Sequence, residues 1–448
     1  MNRTIVMMAA MLALGSCRQD AGGMSLPGRG DVLALRGRIN CPVLPASGGR
    51  ACLQLMLTAR EAGEPLRRPM NLCVVLDRSG SMAEEGKIAH AKEALCALID
   101  RLREDDIFSL VIYDDVVDVL RSAGPAGDRR TLRDLVEGIQ PRGWTNLGGG
   151  MQEGFRQVAR NAGEGYVNRV VLLSDGLANR GITDPSVLGA IARRYRDRSI
   201  SLTTMGVGLD YNENLMCALA SEGGGNYYFI ESGRDLASIL RGEFRVLGSV
   251  VAQNAVIVLR PGTGVRIVDV VGAPFSVDDG AVRIRLGDVS SGERREFTAV
   301  LDIPPGSGTL EVVRGEVRSE QCDGRNSVAS LAGIRVRFSD DAAAVERERD
   351  MDTQAKADVA LSTRGVERAM QALDEGKGDA AEKELAAAHA VLSASPAAAD
   401  AGAGGAIRAQ AARLDAFRQQ LKDTNAPAGK AKKAIQYENY RTQRDAGK

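Results

Sequence analysis

The sequence predicts a mixed α/β protein: a doubly wound, mostly parallel sheet inserted in or next to an antiparallel β-sandwich, with a helical segment at the C-terminal end. Three observations predict it. Between residues 68 and 245, short apolar runs alternate with stretches whose apolar residues recur at helical spacing. Strands apolar along their whole length belong to parallel sheets covered on both faces. Between residues 246 and 340 the pattern changes to short strand-like runs separated by Pro261-Gly262, Asp279-Gly280 and Pro305-Gly306, with no helical period among them, as in a sandwich. From 341 to 423 the chain is Ala-rich and helical in period.

Residues 1–16 read as a leader: Arg3 supplies a positive charge, and the apolar segment 4–14 is too short to span a membrane. It ends in Leu14-Gly15-Ser16-Cys17, which resembles the lipobox of bacterial lipoproteins. That resemblance implies cleavage before Cys17, lipidation of its thiol and anchoring in a lipid bilayer by two or three acyl chains, a stable attachment. Arg18 follows, with no Asp to signal inner-membrane retention, so a cell-envelope location with the outer membrane favoured, periplasmic or surface-facing, is expected. Residues 17–30 are a polar, Gly-rich tether, and 31–67 carry two strands, 32–39 and 51–58, that join the sandwich. Cys41 and Cys52 bracket a Pro/Gly-rich loop, and a disulfide between them is expected in an oxidising compartment. Cys73 and Cys96 read as small core residues, and the absence of any CxxC pair argues against zinc knuckles and thioredoxin-type chemistry.

Within 68–245, the run 72–76 is a buried strand, and Ala91, Ala94, Leu95, Leu98 and Leu102 mark the helix that follows. Strands at 107–113, 116–120, 169–174, 199–207 and 226–230 alternate with helices at 132–139, 146–159, 184–197, 213–220 and 234–244. In the helical segment, Val366, Met370 and Leu373 form one stripe, Ala381, Leu385, Ala388 and Leu392 a second, and Ile407, Ala411, Leu414, Phe417 and Leu421 a third. Residues 424–448 are polar and somewhat basic and read as a disordered tail.

The charges balance, 58 basic against 58 acidic residues, which excludes the basic footprint of a nucleic-acid binder. With His90 and His389 the only histidines, a Ser-His-Asp triad or a His-rich metal centre has no basis. No GxxxxGK(S/T) loop occurs, and Asp77 is followed by Ser79 rather than by the second Asp of haloacid-dehalogenase-like phosphate transfer. Asp114-Asp115 reads as a solvated strand end, and Gly148–Gly150 as helix-start packing. No catalysis is expected.

What remains is the stretch MNLCVVLDRSGSM, residues 70–82. Its apolar run stops at Asp77, and Asp77, Ser79 and Ser81 then fall at alternate positions of a loop, where side chains share one pocket. Thr145 in GWTNLGGG and Asp175 in LLSDGLAN add two oxygens, each in a loop beside a predicted strand or helix. Hard oxygen donors of this kind suit Mg²⁺ or Mn²⁺ and suit zinc or copper poorly. The order Asp-x-Ser-x-Ser, Thr, Asp resembles the metal-ion-dependent adhesion site of the von Willebrand factor type A domain at all five positions. The resemblance covers roughly residues 68–245, and extends to GVGLDYNENLM and to Gly223–Gly225 before NYYF. With LGDVSSGERREF in the following segment, it is similar to a bacterial branch with flanking sandwich segments and a helical C-terminus. It implies a Rossmann-like sheet, a Mg²⁺ or Mn²⁺ ion on hydroxyls with the two Asp carboxylates acting through water, and a protein partner whose Glu or Asp completes the ion. A second reading makes the protein a structural or assembly factor of the envelope whose metal site only stabilises it.

Overall fold

The computed structural model describes residues 32–61, 67–163, 165–321, 324–422 and 428–444. The leader, Cys17 and the tether lie outside the described residues. The chain begins in the sandwich with β1 (Leu33–Ile39), β2 (Val43–Pro45) and β3 (Gly49–Ala59). It then leaves for the α/β domain: β4 (Met70–Asp77), α1 (Lys87–Ile99), β5 (Ile107–Tyr113), β6 (Val117–Pro125), α2 (Arg129–Glu137), α3 (Leu147–Ala159) and β7 (Val167–Ser174). It continues through α4 (Pro185–Arg196), β8 (Ser201–Val207), α5 (Glu213–Gly223), β9 (Gly224–Ile230) and α6 (Leu236–Gly248). The chain returns to the sandwich with β10 (Val250–Pro261), β11 (Arg266–Val271), β12 (Phe275–Asp278), β13 (Ala281–Ser290), β14 (Arg294–Ile303), β15 (Thr309–Gln321) and β16 (Asn326–Ser339). Helices α7 (Ala342–Arg347), α8 (Met351–Asp374), α9 (Gly378–Ser393), α10 (Gly404–Lys422) and α11 (Ala428–Arg444) follow.

One sandwich sheet has the order β1-β3-β14-β11 and the other β12-β13-β10-β15-β16-β2, so each contains strands from both sides of the α/β domain. That domain is therefore an insertion. Leu53, Leu55 and Leu57 of β3 pack with Ile257, Leu259 and Leu301 in the space between the sheets. Each such side chain contributes about 1.5–3 kcal/mol when fully buried. Two short strands, β2 and β12, escape a reading by pattern because they span three and four residues.

The inserted sheet has the order β6-β5-β4-β7-β8-β9, parallel except for β6, which runs antiparallel to β5. Side chains of β4 alternate between two cores. Leu72, Val74 and Leu76 meet Leu95 and Leu98 of α1 and Leu240 of α6, whereas Cys73 and Val75 meet Met151 and Phe155 of α3. Helix α3 reaches the sheet closely at Gly154, where a Cβ would stand 2.4 Å from Val75 Cγ2. The chain moves from β4 to β5 on one side and reaches β7 on the other, so the strand order reverses between β4 and β7. Ligands of such sheets bind outside the carboxyl ends of the strands at that reversal.

Two expectations are corrected. Within the segment 424–448, expected to be a disordered tail, the described residues 428–444 form a docked helix: α11 packs Ile435 into the helical core, and Tyr437 and Tyr440 meet Tyr227 of β9 edge-on at centroid distances of 5.9 and 5.7 Å. Lys433 ion-pairs with buried Glu213 at the start of α5. The helix was hidden in sequence because only Ala431, Ile435 and Tyr440 are buried apolar residues, set among Lys433, Gln436 and Asn439, which are buried too. The Cys41–Cys52 disulfide is not formed, and both thiols are free. Cys41 lies in the sandwich core, where Arg349 Nη1 donates to its Sγ at 3.0 Å, while Cys52 points off the opposite face of β3 onto Val300 and Ala357. Burial pushes the Cys52 thiol up to about 12.

Candidate metal centre

The site forms where β4 and β7 end. Asp77 closes β4 with its carboxylate fully buried. The backbone N–H of Ser79 donates to Oδ1 at 2.8 Å, and Ser174 Oγ donates to Oδ2 at 2.8 Å. Burial, the largest influence, pushes the Asp77 carboxyl up to about 6, so an adjacent cation would favour its ionised form. After Asp77 a tight 3-10 turn, Gly80–Gly86, carries Ser81 toward β7.

Three loops are laced together beneath the site. Gly80 N–H donates to Gly143 O at 3.1 Å, and Arg142 N–H donates to Arg78 O at 2.8 Å, joining the first loop to the second. Asn179 and Arg180 donate to Thr145 O at 3.2 and 3.3 Å, while Thr145 N–H donates to Asn179 Oδ1 at 3.0 Å, joining the second to the third. Asp114 strengthens this lacing. Contrary to a solvated strand end, it is buried and accepts from Arg78 Nε and Arg142 Nε, each at 2.7 Å. Asp115 stays more exposed and faces Arg180 at 3.7 Å. The glycine run packs as expected: a Cβ on Gly150 would meet Tyr113 Cδ1 at 2.6 Å.

The lacing brings all five predicted residues together. Ser79 Oγ and Ser81 Oγ lie 3.1 Å apart, and Ser81 Oγ donates to Asp175 Oδ1 at 2.8 Å. Ser79 Oγ lies 3.5 Å from the same oxygen. Gly176 keeps the floor open, since a Cβ there would stand 3.2 Å from Thr145 Oγ1 and 3.7 Å from Ser81 Oγ. Among the described residues Thr145 Oγ1 has no protein hydrogen-bond partner, its backbone N–H alone being bonded to a side chain. Two carboxylates and three hydroxyls, one hydroxyl unpartnered, fit a hard divalent cation.

One residue of the site was missed. Lys87, the first residue of α1, is buried, and its Nζ donates to Asp175 Oδ2 at 3.0 Å. A lysine opening an amphipathic helix reads as solvent-facing; the available signal was a cation where the helix dipole opposes it. The rim of the site is apolar and open: Trp144 is 57% exposed and Leu177 56%, with the Arg180 guanidinium 5.4 Å from the Trp144 ring centroid.

Comparison with known proteins bears on the fold that carries the site. Residues 71–241 match the von Willebrand factor type A domain. Curated relatives match at low identity. An uncharacterized protein of Escherichia coli, YfbK, is 27% identical over 211 residues, covering 47% of this chain and 37% of that protein. The uncharacterized protein sll0103 of Synechocystis is 28% identical over 254 residues, covering 54% of this chain and 59% of its own length. Inter-alpha-trypsin inhibitor heavy chain H3 of Mesocricetus auratus is 29% identical over 166 residues, 35% of this chain and 18% of that protein. The match thus spans less than two thirds of each relative. Among solved structures, a von Willebrand factor type A protein from Catenulispora acidiphila superposes with a TM-score of 0.69 at 17% identity, covering 93% of this chain and 98% of the other. The ArnB paralog VWA2 from Sulfolobus acidocaldarius gives 0.61 at 17% identity, covering 93% and 100%. These likenesses concern the fold: A domain, sandwich and C-terminal helices together.

Proposed function

We propose that this protein captures a protein partner through a divalent cation, Mg²⁺ or Mn²⁺, held by Asp77, Ser79, Ser81, Thr145 and Asp175. The observation that carries this reading is the convergence of these five side chains from three laced loops at the reversal of the sheet. When bound, the ion supplies a Lewis-acidic attraction for an anionic oxygen. Ser79, Ser81 and Thr145 are neutral, so they hold a cation without cancelling its charge. The partner supplies the remaining anion as a Glu or Asp side chain. Exposed Trp144 and Leu177 offer apolar surface around that contact. No side chain at the site forms a nucleophile–base pair with a histidine, and the proposed role is binding without catalysis.

Attachment to the cell envelope through a lipidated Cys17 belongs to the same proposal and rests on the sequence Leu14-Gly15-Ser16-Cys17. Among the described residues no helix is long and apolar enough to cross a membrane. The test is capture from envelope extracts with the full chain, in Mg²⁺ and in EDTA, comparing wild type with Asp77→Ala. Capture that needs both Mg²⁺ and Asp77 supports the proposal, and capture indifferent to both favours a constitutive assembly role. In the same extracts, Cys17→Ala should leave the membrane fraction; retention there would remove the lipid anchor from the account.

A further inference from the structure

Lys87 carries two penalties where it stands. Its side chain is buried, where a charge loses its hydration, and it sits at the start of α1, where a cation opposes the helix dipole. It is held by Asp175, whose two oxygens are divided: Oδ2 accepts from Lys87 Nζ at 3.0 Å, and Oδ1 accepts from Ser81 Oγ at 2.8 Å. Gly208 makes the room, since a Cβ there would stand 3.1 Å from Lys87 Cε and 3.3 Å from Nζ. The other carboxylate facing Nζ is exposed Asp210, at 3.9 Å.

We infer that Lys87 is a built-in counter-ion, which competes with the divalent cation for Asp175 and keeps the loaded site electropositive. The inference rests on the five-residue cation site proposed above. Without metal, the ammonium balances a carboxylate that would otherwise be buried beside Asp77 with no opposite charge. Exposed Asp210 being screened by solvent, the buried groups decide the balance: two ionised carboxylates and one ammonium leave one net negative charge, which a divalent ion converts to one net positive charge. With a neutral residue at position 87 the loaded site has no excess charge. The lysine that weakens metal binding is therefore the group that strengthens the demand for an anionic partner.

The experiment is calorimetric titration of Mn²⁺ into the EDTA-stripped full chain, for wild type, Lys87→Met and Lys87→Arg, with thermal melts of each form with and without Mn²⁺. Methionine keeps the apolar stem and removes the charge. Lys87→Met should bind Mn²⁺ at least about tenfold more tightly than wild type, because a like charge beside the ion is gone. Its metal-free form should melt lower and gain more from saturating Mn²⁺, while Lys87→Arg stays near wild type in affinity. Unchanged or weaker binding by Lys87→Met, with only a lowered melting point, makes Lys87 a packing residue and overturns the inference while leaving the metal site standing. Absence of Mn²⁺ binding by wild type overturns both. Should Lys87→Met not fold, Lys87→Gln carries the same comparison.

Discussion

At the residue scale the proposed ligands can be separated from the residues that support them. Thr145 gives the cleanest test, because its Oγ1 has no protein partner among the described residues while its backbone holds two loops together. Thr145→Val keeps the shape and the backbone bonds. Mn²⁺ affinity should fall about tenfold to a hundredfold, a loss typical of disturbing a metal site, with the melting point of the metal-free protein unchanged. Equal affinity would exclude Thr145 from the site. The five proposed ligand positions were legible in the sequence by two routes: Asp77, Ser79 and Ser81 by their alternation after a strand, and Thr145 and Asp175 by the resemblance to the A-domain adhesion site. Lys87 and Asp114 were not, because their roles depend on burial by distant loops, which no local pattern records. The same limit explains Cys41 and Cys52: closeness in sequence suggested a bond, but alternation along β3 sends Cys52 to the face away from Cys41.

At the element scale, strongly periodic segments read correctly and weakly periodic ones did not. The apolar run of β4 and the stripes of α8, α9 and α10 form cores as their spacing predicts. Helix α11 was the exception, since its anchoring surface is carried by tyrosines meeting β9 rather than by an aliphatic stripe. Tyr440 is mostly buried, and its hydroxyl accepts from Tyr227 N–H at 3.1 Å. Tyr440→Ala should destabilise the protein by about 2–4 kcal/mol, somewhat below the usual cost of emptying a buried aromatic site, read as a shifted urea midpoint. An unchanged midpoint would mean that α11 is not docked on the A domain.

At the scale of the whole molecule, the insertion ties the candidate metal centre to the rest of the chain. Both ends of the A domain enter the sandwich, and Arg169 of β7 bridges the two with Nη2 2.9 Å from Asp288 Oδ2 of β13. The candidate centre therefore sits on a sheet held by the sandwich at one end and open at the carboxyl ends of β4 and β7, the side from which the proposed partner would approach. That placement was legible from the strand–helix alternation alone. The insertion followed only from assigning the strands before residue 60 to the later sheets, and the register of β3 against β14 establishes it. The central claim is that Asp77, Ser79, Ser81, Thr145 and Asp175 hold a divalent cation. Crystals of the full chain grown with Mn²⁺ and measured at the manganese absorption edge test it most directly. The account predicts an anomalous peak among these five side chains that disappears in Asp77→Ala; no peak there in well-ordered wild-type crystals would contradict it.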